Sequence, residues 1–185
     1  MSNLLNRVFE SAFDDEVHSL AVIDEQHRMN HAGFMFHTSG KVIGMVDANV
    51  DDFLLVTGDI HPHIQLLNFD FGAGDIDIVS YEDTTTSNDG TPITALLNTN
   101  RNSSITPLLT MFSAPTVTGV GTLLHTAWMP PVGTGIGQSA SGISGGGNGE
   151  EWELKPNSKY MIRITNNSGS TIDYRYELRW YEPNF

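Results

Sequence analysis

Residues 150–182 read EEWELKPNSKYMIRITNNSGSTIDYRYELRWYE, and their patterning decides the fold class. From Ile172 the even positions are Ile172, Tyr174, Tyr176, Leu178 and Trp180, while the odd ones are Asp173, Arg175, Glu177, Arg179 and Tyr181. Strand side chains alternate between faces, so this run presents one apolar face and one wetted, mostly charged face. At helical spacing the same residues would scatter around the axis. Upstream, Tyr160, Ile162 and Ile164 form a second alternating run, and Asn166-Asn167-Ser168-Gly169-Ser170 between the two is turn chemistry. The pair predicts a β-hairpin. A third short run at Trp152–Leu154 precedes a Lys155-Pro156-Asn157 turn, so three strands are expected to close the chain.

Outward from this stretch, strands are expected at 31–38 and 41–47, with Ser39-Gly40 as a two-residue hairpin turn. Others are expected at 53–57, 60–71, 75–82, 108–112 and 118–128, the last stopped by Pro130-Pro131. In 75–82, Ile76, Ile78 and Ser80 are expected to face inward. Residues 83–92 read as a polar loop, and 94–104 as weakly apolar, with an exposed loop from Asn98. Residues 132–149, VGTGIGQSASGISGGGNG, offer almost no side chains to bury, so ordering them costs roughly 1–2 kcal/mol of backbone entropy per residue. A mobile loop ordered only against a neighbouring subunit is expected there. Residues 1–19 have helix-compatible spacing but end in Asp14-Asp15-Glu16, the wrong charge for a helix C-terminus. They read as an N-terminal arm or short helix, followed by a single domain over 20–185. About ten short strands and no interior helix predict an all-β, antiparallel sandwich of jelly-roll type.

The 185 residues carry 22 acids against 9 bases, a net charge of −13, and no cysteine. Nucleic-acid binding needs clustered Lys and Arg to neutralise phosphates, and no such cluster exists. No run of about 18 apolar residues is present, so no membrane helix is expected. The first residues lack a basic segment followed by an apolar run and are not expected to be a secretory signal. The acceptor patterns at Asn102-Ser103-Ser104 and Asn166-Asn167-Ser168 therefore carry no reading.

Several spacings resemble known chemical sites. His61-Pro62-His63 could offer two metal ligands, with His125 as a distant third. A cupin-type site would want a Glu four or five residues on, where Leu67 and Asn68 stand. His27 and His31 have helical zinc spacing without a protease Glu between them, and read as structural histidines. Asp70, Asp75 and Asp77 around Gly72 and Gly74 match no defined calcium loop. Gly142-Ile143-Ser144-Gly145-Gly146 fits a nucleophile elbow only loosely and lacks the flanking strand and helix. No catalytic, cofactor-binding or metal residue is assigned, and no cofactor is expected.

The closing stretch is similar to the C-terminal signature of a family of tailed-bacteriophage virion proteins. The residues are Glu151, Trp152, Leu154, Lys155, Pro156, Asn157, Tyr160, Thr165, Asn166, Trp180, Tyr181 and Glu182. Asp24, His27, His31, Gly33 and Phe36 resemble that family's opening strand, and the Gly-rich segment before Trp152 fits too, so the resemblance spans roughly residues 20–182 with gaps. It implies a β-sandwich structural protein, several relatives being capsid decoration (cement) proteins. The expected function is non-enzymatic: made in the host cytoplasm, bound to the capsid exterior, stabilising the shell. The expected partners are the major capsid protein and further copies of itself, as a trimer or dimer, with no nucleic acid and no membrane. Two alternatives stand beside it. One is a head or tail fibre or adhesin, for which Trp128 and Tyr181 are the candidate sugar-contacting aromatics. The other is a cupin-like metal enzyme resting on His61 and His63.

Overall fold

The computed structural model describes residues 13–14, 19–20, 25–72, 74–131 and 151–183. Its elements in chain order are β1 (Phe13–Asp14), β2 (Ser19–Leu20), α1 (Glu25–Ala32), β3 (Met35–Met45), β4 (Val50–Val56), β5 (His63–Phe71) and β6 (Ile76–Glu82). They continue as β7 (Thr85–Asn88), β8 (Thr91–Pro92), β9 (Leu97–Asn98), β10 (Thr110–Ser113), β11 (Thr116–Gly119), β12 (Thr122–Met129), β13 (Trp152–Glu153), β14 (Lys159–Asn166) and β15 (Ile172–Tyr181).

Two sheets carry the fold, a five-stranded one ordered β13-β5-β15-β3-β9 and a six-stranded one ordered β12-β6-β14-β4-β10-β8. Their main pairings are nested: β3 with β15, β4 with β14, β5 with β13 and β6 with β12, all antiparallel. Successive strands alternate sheets, so the chain behaves as one long hairpin rolled over on itself. That is the jelly-roll arrangement. The all-β antiparallel sandwich expected from the sequence is what forms.

The alternation at the C-terminus largely holds, with Tyr176 half-buried on the inner face. Ile172, Tyr174, Leu178 and Trp180 are buried against Phe69 and Phe71 of β5 and Tyr160, Ile162 and Ile164 of β14. Aromatic contacts bind the two sheets together: Phe53 of β4 lies 6.3 Å from Phe69 and 5.0 Å from Tyr176 across the interior. Ile76, Ile78 and Ser80 face inward as expected.

Four expectations are corrected. First, Ser39-Gly40 is not a turn, because β3 runs unbroken through it. Gly40 pairs with Tyr176, and a Cβ there would lie 2.4 Å from the Tyr176 hydroxyl oxygen. The glycine clears space for a ring. Second, residues 25–32 form a helix where loop and strand were expected. It ends at Gly33 (φ 80°) with Gly33 N–H donating to Asn30 O and Phe34 N–H to Met29 O, a Schellman stop. Third, residues 83–98, expected as a polar loop and a weakly apolar stretch, also carry short strands, while the strand expected at 108–112 forms as β10. β7 and β11 form a ribbon, β8 and β10 extend the sheet beside β4, and β9 adds to β3. Fourth, Tyr181 lies on the outer face yet is only 5% exposed. In the N-terminal region β1 and β2 pair with each other, so residues 13–14 and 19–20 are strand rather than helix. The rest of the 1–19 arm and the Gly-rich 132–149 loop lie outside the described residues.

Candidate functional site

His63 and His61 stand where β5 begins, opposite the short strand β13. The β13 end supplies an acid to each: His63 Nδ1 is 2.9 Å from Glu151 Oε1, and His61 Nδ1 is 3.5 Å from Glu153 Oε1. Tyr181 completes the first cluster. Its hydroxyl donates to Glu151 at 2.8 Å, lies 3.0 Å from His63 Nδ1, and its ring stacks on the imidazole at 4.6 Å. This burial removes Tyr181 as an exposed sugar platform. His125 belongs elsewhere, packed edge-on against Trp152 with centroids 6.0 Å apart. No group of three or more His, Asp or Glu side chains is placed to hold a metal among the described residues. His27 and His31 sit on α1 with rings 4.4 Å apart.

The aspartates also take separate local jobs. Asp75 Oδ1 accepts the Trp128 indole N–H (3.1 Å), Asp77 Oδ2 the Asn167 amide (2.9 Å), and Asp70 Oδ1 the Asn68 amide (3.3 Å). The loose elbow at Gly142–Gly146 lies outside the described residues.

Several residues carrying the family resemblance hold the sandwich shut. Tyr160 OH donates to Glu82 Oε2 (2.9 Å) and accepts the Lys155 backbone N–H (2.8 Å), and burial pushes its pKa up to about 12. Asn157 adopts φ 52° in the Lys155-Pro156-Asn157 turn and donates its N–H to Gly58 O. Thr57, fully buried, clamps that turn by donating to Lys155 O at 2.7 Å and accepting Ser158 N–H at 3.0 Å. Asn166, also fully buried, donates to Met45 O and Ser170 O and accepts Ser168 N–H. Glu182 accepts Leu108 N–H (2.8 Å), Leu109 N–H (2.9 Å) and the Trp180 indole N–H (2.8 Å). Asp24 lies outside the described residues.

What remains for contact with other molecules is surface. Ile43, Val46 and Val50 are exposed around the β3–β4 turn, Leu97, Ile105 and Leu108 beside the β9 edge, and Leu123, Leu124 and Trp128 on β12. An open groove of about 540 Å³ lies between the sheets beside β3 and β4, with Phe53, Tyr174 and Tyr176 in its wall. The Tyr174 hydroxyl there donates to Asp51 at 2.9 Å, and burial first, then the Asp51 charge, raises its pKa. On the opposite side, Leu55, Ile64, Leu124, Trp152 and Leu154 line an apolar cavity of about 40 Å³. Sequence reading found Trp128 but missed these groupings, because each assembles residues from strands distant in the chain.

Comparison of this chain with protein-family models, with curated proteins and with solved structures finds no match.

Proposed function

We propose that this chain is a non-enzymatic virion structural protein of a tailed bacteriophage, bound to the outside of the capsid as a decoration or cement protein. The observation that carries the reading is where the resemblance falls. Glu151, Trp152, Leu154, Lys155, Asn157, Tyr160, Asn166, Trp180 and Glu182 lie on or beside β13, β14 and β15, which close both sheets. The shared residues therefore build a rigid double-sheet body rather than a reaction centre. A decoration protein works by adding buried interface at junctions of the shell, each copy contributing modestly and many copies adding up. The exposed apolar residues around the β3–β4 turn and beside β9 offer such interface on an otherwise acidic molecule. The partners in this reading are the major capsid protein and further copies of the chain.

The fibre or adhesin alternative is favoured by one observation, the Trp128 indole exposed on the outer side of β12. Copy number separates the two. Quantitative mass spectrometry of purified particles against the major capsid protein would give a near-stoichiometric ratio for decoration. A few copies per particle would move the chain to a fibre, and absence from the particle would end the virion reading.

A further inference from the structure

We propose that the free edge of β12 is where two copies of this chain pair, antiparallel, about a twofold axis. The two sheets have four lateral edges. Three are blunt: β8, β9 and β13 are two residues long each, and β8 contains Pro92. The fourth is β12, eight residues long and paired, among the described residues, with β6 alone. A long open edge is a row of unpaired N–H and C=O groups, a template for another strand, which proteins guard with short strands, charges or proline.

β12 lacks the usual chemical guards. Its sequence, TLLHTAWM, has no Asp, Glu, Lys or Arg, and it is the only described strand longer than four residues of which that is true. Charge gives this its meaning. Twofold pairing sets a patch against its own copy, so a patch whose charges are all acidic meets only like charge. In a chain of net charge −13, self-association needs a surface free of acids, and this strand is one. Its exposed side chains are those an interface would cover, Leu123 and Leu124 at one end and Trp128 at the other, each 38–58% exposed. An antiparallel partner brings the Leu123 end of one copy against the Trp128 end of the next and continues the sheet across the axis. One bulge, between Leu123 and His125, displaces the strand's start and leaves His125–Met129 in regular register for the ladder. The inference rests on the sheet edge and not on the virion reading, so the two can fail separately.

The chain has no cysteine, so a single introduced thiol reports proximity without background. Thr126→Cys, exposed at mid-strand, is expected to form a disulfide-linked dimer on mild oxidation of the full chain, because bridged Cα atoms must come within about 7 Å. Ile43→Cys, exposed on the distant β3–β4 turn, is expected to stay uncrosslinked. By sedimentation velocity the wild type should show a monomer–dimer equilibrium. Leu123→Lys with Thr126→Lys should raise its dissociation constant about 100-fold or more, since like charges facing across an interface are strongly unfavourable. If the lysine variant misfolds, the cysteine pair decides. A wild type that is monomeric throughout the micromolar range, as it would be if residues 132–150 of the same chain covered the edge, overturns the proposal. So does equal crosslinking at both cysteines, or an oligomer whose β12 amides exchange as fast as in the monomer.

Discussion

Glu182 gives the sharpest test of how the sandwich is closed. It sits one residue beyond β15, is 5% exposed, and takes three donors on its two oxygens. Oε1 accepts Leu109 N–H and the indole N–H of fully buried Trp180, while Oε2 accepts the half-buried Leu108 N–H. Glu182→Ala strands two fully buried donors. Each buried donor left unpaired costs about 1–3 kcal/mol, so the expected loss is about 4 kcal/mol. That is a large share of a total stability of about 5–15 kcal/mol. With a urea m-value of about 2–3 kcal/mol/M, the unfolding midpoint should fall by about 1.5 M. Glu182→Gln keeps one carbonyl oxygen for Leu109 and Trp180 but turns an amide N–H₂ toward Leu108 N–H, and should cost only about 1–2 kcal/mol. The Glu177→Ala control, at a partly exposed site where it breaks the Arg179 pair, should cost under about 1 kcal/mol. Amide exchange should quicken at Leu108 and Leu109 in the alanine variant first. Equal costs for Ala and Gln, or an Ala cost within about 0.5 kcal/mol of wild type, would refute the idea that the carboxylate anchors this segment.

Gly40→Ala should destabilise by about 1–3 kcal/mol through overpacking, and Tyr176→Leu in the same chain should recover part of that loss in urea titrations. Asn166→Ala orphans Met45 O, Ser170 O and Ser168 N–H and should cost about 2–4 kcal/mol, whereas Asn166→Asp, which sets a carboxylate against two carbonyls, should cost more. At high pH, Tyr160 is protonated in the fold up to about 12 but only to about 10 when unfolded. The unfolded chain thus binds fewer protons between these values, and stability should decline as pH rises from about 10 to 12. Tyr160→Phe should flatten the part of that decline it contributes, while Tyr174 and Tyr176, both shifted in the same direction by burial, contribute further parts. At low pH the sign reverses. Hydrogen bonds from Lys155, Lys159 and Lys41 hold Glu82, Asp89 and Asp173 below the ordinary carboxylate range. Their contribution is full above that range and is lost as pH falls through the lowered values, so urea midpoints should drop below about pH 4.

The elements legible in the sequence are those whose reason is local. The alternation from Ile172 to Trp180 names its own buried face, and the Asn166–Ser170 turn sits between two such runs. Where the reason lies far along the chain, sequence reading chose the nearest local explanation. Ser39-Gly40 looks like a turn because the ring that needs the glycine belongs to Tyr176, 136 residues on. Tyr181 looks wet because His63, which stacks on it, is 118 residues away. Helix α1 was invisible for another reason: EQHRMNHA buries one apolar side chain, Met29, so there is no 3.6-residue periodicity to see. The histidine pairs at 61 and 63 drew attention as metal ligands, but their acids come from β13, beyond any motif's reach.

This division of labour bears on where function resides. Several of the residues that prompted the family resemblance are clamps: Tyr160 on Glu82, Asn157 on Gly58, Asn166 on Met45, Glu182 on Leu109. Such clamps close two sheets, and fold alone does not fix what a protein binds. β12 contains none of these residues. Substitution at Leu123, Thr126 or Trp128 therefore leaves the clamps untouched and should change association while sparing stability. Substitution at Glu182 or Asn166 should do the reverse. A single set of variants, measured for both unfolding midpoint and sedimentation, distinguishes the scaffold from the contact surface.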